Sequence, residues 1–125
     1  MPTKQDIGIH AQTTKLDAHE LCRQLVSHLG PTLVATLANV RDQKLPHKWA
    51  QADGPVPRSE SLRRLQAAHR AWAMISQSDS DHVARAWFIG ANPRLNEEAP
   101  VMRLREGDVG AVLAAAKAFV AGTDE

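Results

Sequence analysis

The sequence predicts an all-α protein of about six helices, and three observations lead there. Alanine and leucine abound while tyrosine is absent and β-branched residues are sparse, a balance that favours helix over sheet. Apolar residues recur at i, i+3 and i+4 through most of the chain, the period of one helix face. Capping and helix-stopping residues punctuate those stripes. With 125 residues, 43% of them hydrophobic, the chain can form one compact domain or two small helical subdomains sharing a core.

The elements follow in order. Met1 to Lys15 is polar and aperiodic and reads as a loose tail. Asp17 and Glu20 form a capping-box-like start, and Leu21, Cys22, Leu25, Val26 and Leu29 then make an apolar stripe ending at Gly30. Pro31-Thr32 opens a second helix through Leu33, Leu37 and Val40. A short third helix spans Leu45 to Gln51, with Asp53-Gly54, Pro55 and Pro57 beyond it. Ser59 or Ser61 caps a long helix carrying Leu62, Leu65, His69, Trp72 and Ile75. The Ser/Asp cluster from Ser76 to Asp81 breaks it, and Asp81 begins the helix that ends at Ile89. After Asp108 a last helix sets Val109, Val112, Leu113, Ala116, Phe119 and Val120 on one face. The expected organisation is a tail over 1–15, a helix-turn-helix-like unit over 16–78 and a C-terminal helical region over 79–125.

Charge is distributed unevenly along the chain. Between Arg41 and Arg70 seven basic residues face three acidic ones, a balance of +4; between Glu97 and Glu125 three basic residues face six acidic ones, a balance of −3. A basic middle and an acidic end suit two partners of different character, although a solvated helix face can carry either imbalance. His19 and Cys22 could share a helix face, but no second Cys/His pair stands at metal-ligand spacing, so Cys22 reads as a small buried hydrophobe. His69 reads as a hydrogen-bonded, half-buried histidine, and Trp49, Trp72 and Trp87 as core. No nucleophile-base arrangement and no glycine-rich phosphate loop is present, so neither an enzyme nor a cofactor is expected. A lone cysteine and the lack of a bilayer-spanning apolar run or signal-peptide core lead to the expectation of a cytoplasmic protein with no membrane partner.

The stretch from Ala86 to Val112 is the most constrained. Trp87, Phe88 and Ile89 stop at Gly90, which is expected to close the helix with a positive φ. Asn92-Pro93 forces an extended or turn conformation. Pro100 opens a short helix, and Gly107-Asp108 ends it and caps the next, while Leu95, Met102 and Leu104 anchor the loop. This block resembles the toxin-binding domain of Xre/MbcA/ParS-type antitoxins, the partners of RES-type toxins. The resemblance rests on Trp87, Asn92-Pro93, Leu95, Pro100, Leu104, Gly107-Asp108 and Val112, in matching order and spacing over the last third of the chain. Asn96-Glu97 departs from it, since relatives often carry glycine there, and implies a stiffer or differently shaped loop. The resemblance implies binding and inhibition of a RES-domain, NAD-degrading toxin, by covering its active-site cleft. The implied contact residues are Asn92, Pro93, Arg94, Leu95, Pro100, Gly107, Asp108, Phe119 and Glu125.

The second and third helices resemble the degenerate helix-turn-helix of the same family, including Trp49 just before the loop. The family's N-terminal domain commonly represses its own operon, so operator DNA is a further expected partner. Arg41, Gln43, Lys44, His47 and Lys48 are the candidate DNA contacts, with Gln43 for base edges and the basic side chains for phosphates. Pro46 inside the third helix and a net charge of only +1 count against that role and favour a structural core that kept the shape and lost the contacts. The competing class is a transcriptional regulator or adaptor without a toxin, and a homodimer is compatible with either.

Overall fold

The computed structural model describes residues 8–9 and 16–122. Between residues 16 and 122 the chain forms seven helices and no strand: α1 (Ala18–Leu29), α2 (Pro31–Ala38), α3 (Leu45–Trp49), α4 (Ser59–Ser78), α5 (Asp81–Ile89), α6 (Pro100–Arg105) and α7 (Val109–Ala121). A single 3-10 turn, Pro93–Leu95, lies between α5 and α6. No helix among the described residues is long and apolar enough to cross a membrane.

Local chemistry sets most of the helix ends. The Asp17 carboxylate accepts the Glu20 amide at 2.8 Å, capping α1 as the sequence implies. Glu20 does not complete the box, because its carboxylate is held by Arg23 and Gln24. Those bonds hold its carboxyl down at about 2. Gly30 has φ +87 and serves both as the last cap of α1 and the first of α2, so one residue makes the corner between two buried helices. Asn39, left-handed at φ 61, ends α2 at Ala38, and Val40 therefore lies outside the helix expected to include it.

One capping expectation is corrected. Neither Ser59 nor Ser61 caps α4: Arg58 holds the cap position without a side-chain bond, and Ser61 is buried, donating its hydroxyl to the Ala38 carbonyl at 2.8 Å. A hydroxyl one turn into a helix that faces the end of another satisfies that helix's open carbonyl instead of its own amides. Helix α5 begins at Asp81, as expected, and Ser80 before it is the cap, accepting the Val83 amide at 3.1 Å. Asp81 is thereby freed for longer-range bonds.

One continuous core runs through the described chain. Helix α4 packs against α1, α2, α5, α6 and α7, and buries Ala67, Ala68, Ala71 and Ala73 beside Leu65, Met74 and Ile75. The alanines leave room for neighbours on several sides. Ile9, within the stretch read as a loose tail, is buried in the same core. Cys22 is fully buried, and burial pushes its thiol up to about 12.

A polar cluster ties α1, α4 and α5 together at one edge. The Asp81 carboxylate accepts the Trp72 indole N–H and the His28 Nδ1–H, and Trp72 stacks on His28 at 4.3 Å between ring centroids. Beneath them His69 is fully buried, more deeply than expected, and its Nε2 donates to Gln24 at 2.8 Å. Burial, then the neighbouring His28, pulls the His69 imidazole down from 6.5 to about 4. The folded state thus resists a proton that the unfolded chain accepts. Stability is unaffected above pH 6.5, falls as the pH drops from 6.5 towards 4, and levels off below. The fall attributable to this residue is about 3 kcal/mol. Urea unfolding across that range should show it, and His69→Gln should flatten the slope; an equally steep slope in the variant would contradict the assignment.

Candidate functional site

The loop between α5 and α7 is built on an aromatic floor. Trp87 and Phe88 are buried and meet edge to face at 5.2 Å, and Phe119 of α7, half-buried, lies against Trp87 at 6.5 Å. Ile89 at the end of α5 is 61% exposed. The Gly90 amide closes the helix on the Ala86 carbonyl, but its φ is −87, not the positive value expected. The chain passes straight into the extended conformation that Asn92 needs before Pro93, so no left-handed reversal is required.

Asn92 is the fastening of the loop. It is buried, its side-chain oxygen accepts the Arg94 amide at 3.0 Å, and its carbonyl accepts the amides of Leu95 and Glu97. Its own amide donates to the Glu98 carbonyl at 3.2 Å. Leu95 and Pro100 are buried below, so these two implied contact residues hold the loop to the core and do not present side chains outward. Pro93, Arg94, Asn96, Glu97 and Glu98 are exposed above. Asn96 and Glu97 are both left-handed, at φ 54 and 67. That conformation explains why glycine would suit this step; asparagine tolerates it readily and glutamate less so.

Arg103 of α6, not singled out by sequence, braces the loop from beneath. Its guanidinium donates to the Leu95 carbonyl at 3.1 Å and twice to the Asp108 carboxylate, at 3.2 and 2.6 Å. Asp108 consequently sits at the cap position of α7 without capping it, contrary to expectation, because the cation claims its carboxylate. A five-residue spacing across a turn is not a helix-pair signal, which is why the brace was illegible. Gly107, at φ +89, makes the corner between α6 and α7, with the Arg64 guanidinium 3.6 Å from where a Cβ would stand. Glu125 lies outside the described residues.

The α2–α3 corner forms a second surface. Asp42 accepts the Lys44 amide at 2.9 Å, turning the chain into α3, and Gln43 accepts the Thr32 hydroxyl at 3.4 Å. Arg41, Gln43, Lys44, His47 and Lys48 are all exposed. Helix α3 ends at Trp49, two residues earlier than expected, and Pro46 is its second residue and buried. A proline there occupies the first turn, where its missing amide would have had no partner, so the helix is not kinked. The two surfaces belong to different parts of the fold, with Asn39 at the α2–α3 corner bonded to Arg105 of α6 at 3.2 Å. No group of three or more His, Cys, Asp or Glu placed to hold a metal exists among the described residues.

Compared with protein-family models, with curated proteins and with solved structures, the chain matches none.

The backbone of the loop sets a prediction. Gly107→Ala forces a side chain into positive φ and should cost about 1–2 kcal/mol. Glu97→Gly relieves the same strain at the price of unfolded-state entropy, and should be neutral or stabilising by up to about 1 kcal/mol. Denaturant midpoints compare the two; equal destabilisation by both would mean that positive φ is not the constraint.

Proposed function

We propose that the chain is an antitoxin-like protein whose C-terminal region binds a RES-domain, NAD-degrading toxin and covers its active-site cleft. The observation that supports this reading is the division of labour in the 90–108 loop. Asn92, Leu95 and Arg103 hold it rigidly from within, while Pro93, Arg94, Asn96, Glu97 and Glu98 stand exposed. A preorganised loop loses little entropy on docking. Glu97 and Glu98 supply negative charge suited to a cleft that binds an anionic substrate. The resemblance carried by Trp87, Asn92-Pro93, Leu95, Pro100, Leu104, Gly107-Asp108 and Val112 names the partner class.

Bacterial growth during expression of a RES-domain toxin, sought first in the reading frame adjacent to this gene, tests the reading. The native chain should rescue growth. Arg94→Glu combined with Glu97→Arg should abolish rescue while the protein stays folded in a thermal melt, because both side chains are exposed. Removing residues after Val120 should weaken rescue if the acidic end enters the cleft. Full rescue by all of these variants would place the toxin-facing surface elsewhere.

A second reading, operator binding by the α2–α3 corner, is favoured by the exposure of all five candidate side chains and by the first-turn position of Pro46. Lys44→Glu with Lys48→Glu should abolish the mobility shift of the upstream DNA. Neutralising the same pair to Gln should lower the log–log salt slope by about 2, near 0.9 per phosphate contact. A shift unaffected by the charge reversal would exclude this corner.

A further inference from the structure

A cleft of about 550 Å³ opens between the α2–α3 corner, the 55–58 segment and the first turns of α4. That volume falls in the range of small-molecule sites. At Gly54, just before the 55–58 segment, the backbone packs tightly on the end of α3, since a Cβ there would stand 2.1 Å from the Lys48 carbonyl oxygen. The lining combines two chemistries. Val40, Trp49 and Val56 are apolar, and Val56 is 58% exposed. Arg41, Arg58 and Arg64 also line the cleft, and none of the three forms a side-chain hydrogen bond or ion pair among the described residues.

Arg64 is the unusual member. It lies between the cleft and the α6–α7 corner, its Nε and Nη2 within 4.0 Å of where a Cβ on Gly107 would stand. Among the described residues its Nε is buried without a hydrogen-bond partner, a costly state for a guanidinium that carries five donors. Near it, α4 begins at a cap position, Arg58, that offers no side-chain acceptor, so the positive end of a twenty-residue helix dipole faces the same region. Two carboxylates, Asp42 and Glu60, also line the cleft. They leave a lining charge of +1, which suits a monoanion better than a phosphate dianion. Asp42 is already engaged by the Lys44 amide.

We propose that this cleft binds a small organic carboxylate with an apolar or aromatic body, the carboxylate meeting Arg64 with Arg41 and Arg58 around it and the body lying against Trp49, Val40 and Val56. Guanidinium forks match the planar carboxylate, and the apolar floor has no use for a bare inorganic ion. The site shares Arg41 with the proposed DNA contacts but otherwise goes beyond the toxin and DNA surfaces, and its test needs neither partner.

Titration of the full chain by calorimetry, with amide chemical shifts recorded alongside, uses four probes: benzoate, acetate, benzamide and inorganic phosphate. Benzoate should bind with a dissociation constant on the order of 1 mM or tighter. Acetate, which lacks the apolar body, and benzamide, which lacks the charge, should each bind at least about tenfold more weakly. Shifts should centre on residues 39–42, 56–58 and 60–64. Arg64→Gln should weaken benzoate by about tenfold or more. Arg58→Gln, at an exposed position, should weaken it in the same direction and serves if Arg64→Gln alters the fold. No benzoate binding, equal binding of acetate or benzamide, tighter binding of phosphate, or benzoate affinity unchanged in both variants would overturn the proposal.

Discussion

Helix α4 has to accommodate five other helices at once, and the rest of the structure depends on how it does so. Large side chains on every face would hold its neighbours apart. Alanines at 67, 68, 71 and 73 let them approach closely, and Leu65, Met74 and Ile75 fill the space between. Because α4 touches both the N-terminal helices and α6 and α7, the α2–α3 corner and the 90–108 loop are placed by one shared core. The two candidate surfaces are thus coupled by packing even though their residues are far apart in sequence.

The polar bonds complement that packing. Ser61 closes the end of α2, Asp81 joins α1, α4 and α5 through His28 and Trp72, and Arg103 joins the loop to the start of α7. Each lies where a helix end or a loop would otherwise leave polar groups without partners at the edge of the core, a situation that costs more than the bond itself returns. The 90–108 loop is therefore rigid for an internal reason. Its polar backbone is satisfied by Asn92 and Arg103, so the loop holds its shape without a partner, which is the condition a recognition surface requires.

The α2–α3 corner differs. Its exposed residues are held by a short helix and an Asx turn, and it borders a cleft whose arginines have no side-chain hydrogen bond or ion pair among the described residues. The loop carries negative charge on Glu97 and Glu98, and the corner carries positive charge on Arg41, Lys44 and Lys48. Opposite signs on separate surfaces match the charge asymmetry along the chain and suit partners of different chemistry.

The sequence by itself determined the helical class and most of the helix bounds, because stripe period, prolines and caps such as Asp17 act within a few residues. It also marked Asn92-Pro93 and Gly107 as turn makers, since their backbone preferences are intrinsic. What it left undecided were partnerships between distant groups. Nothing local tells that Asp108 serves Arg103 instead of capping α7, or that Ser61 faces the Ala38 carbonyl. Only tertiary structure brought Arg41, Arg58 and Arg64 to one cleft. Those choices depend on which of several competing donors and acceptors packing carries within reach, and that is settled by the fold as a whole.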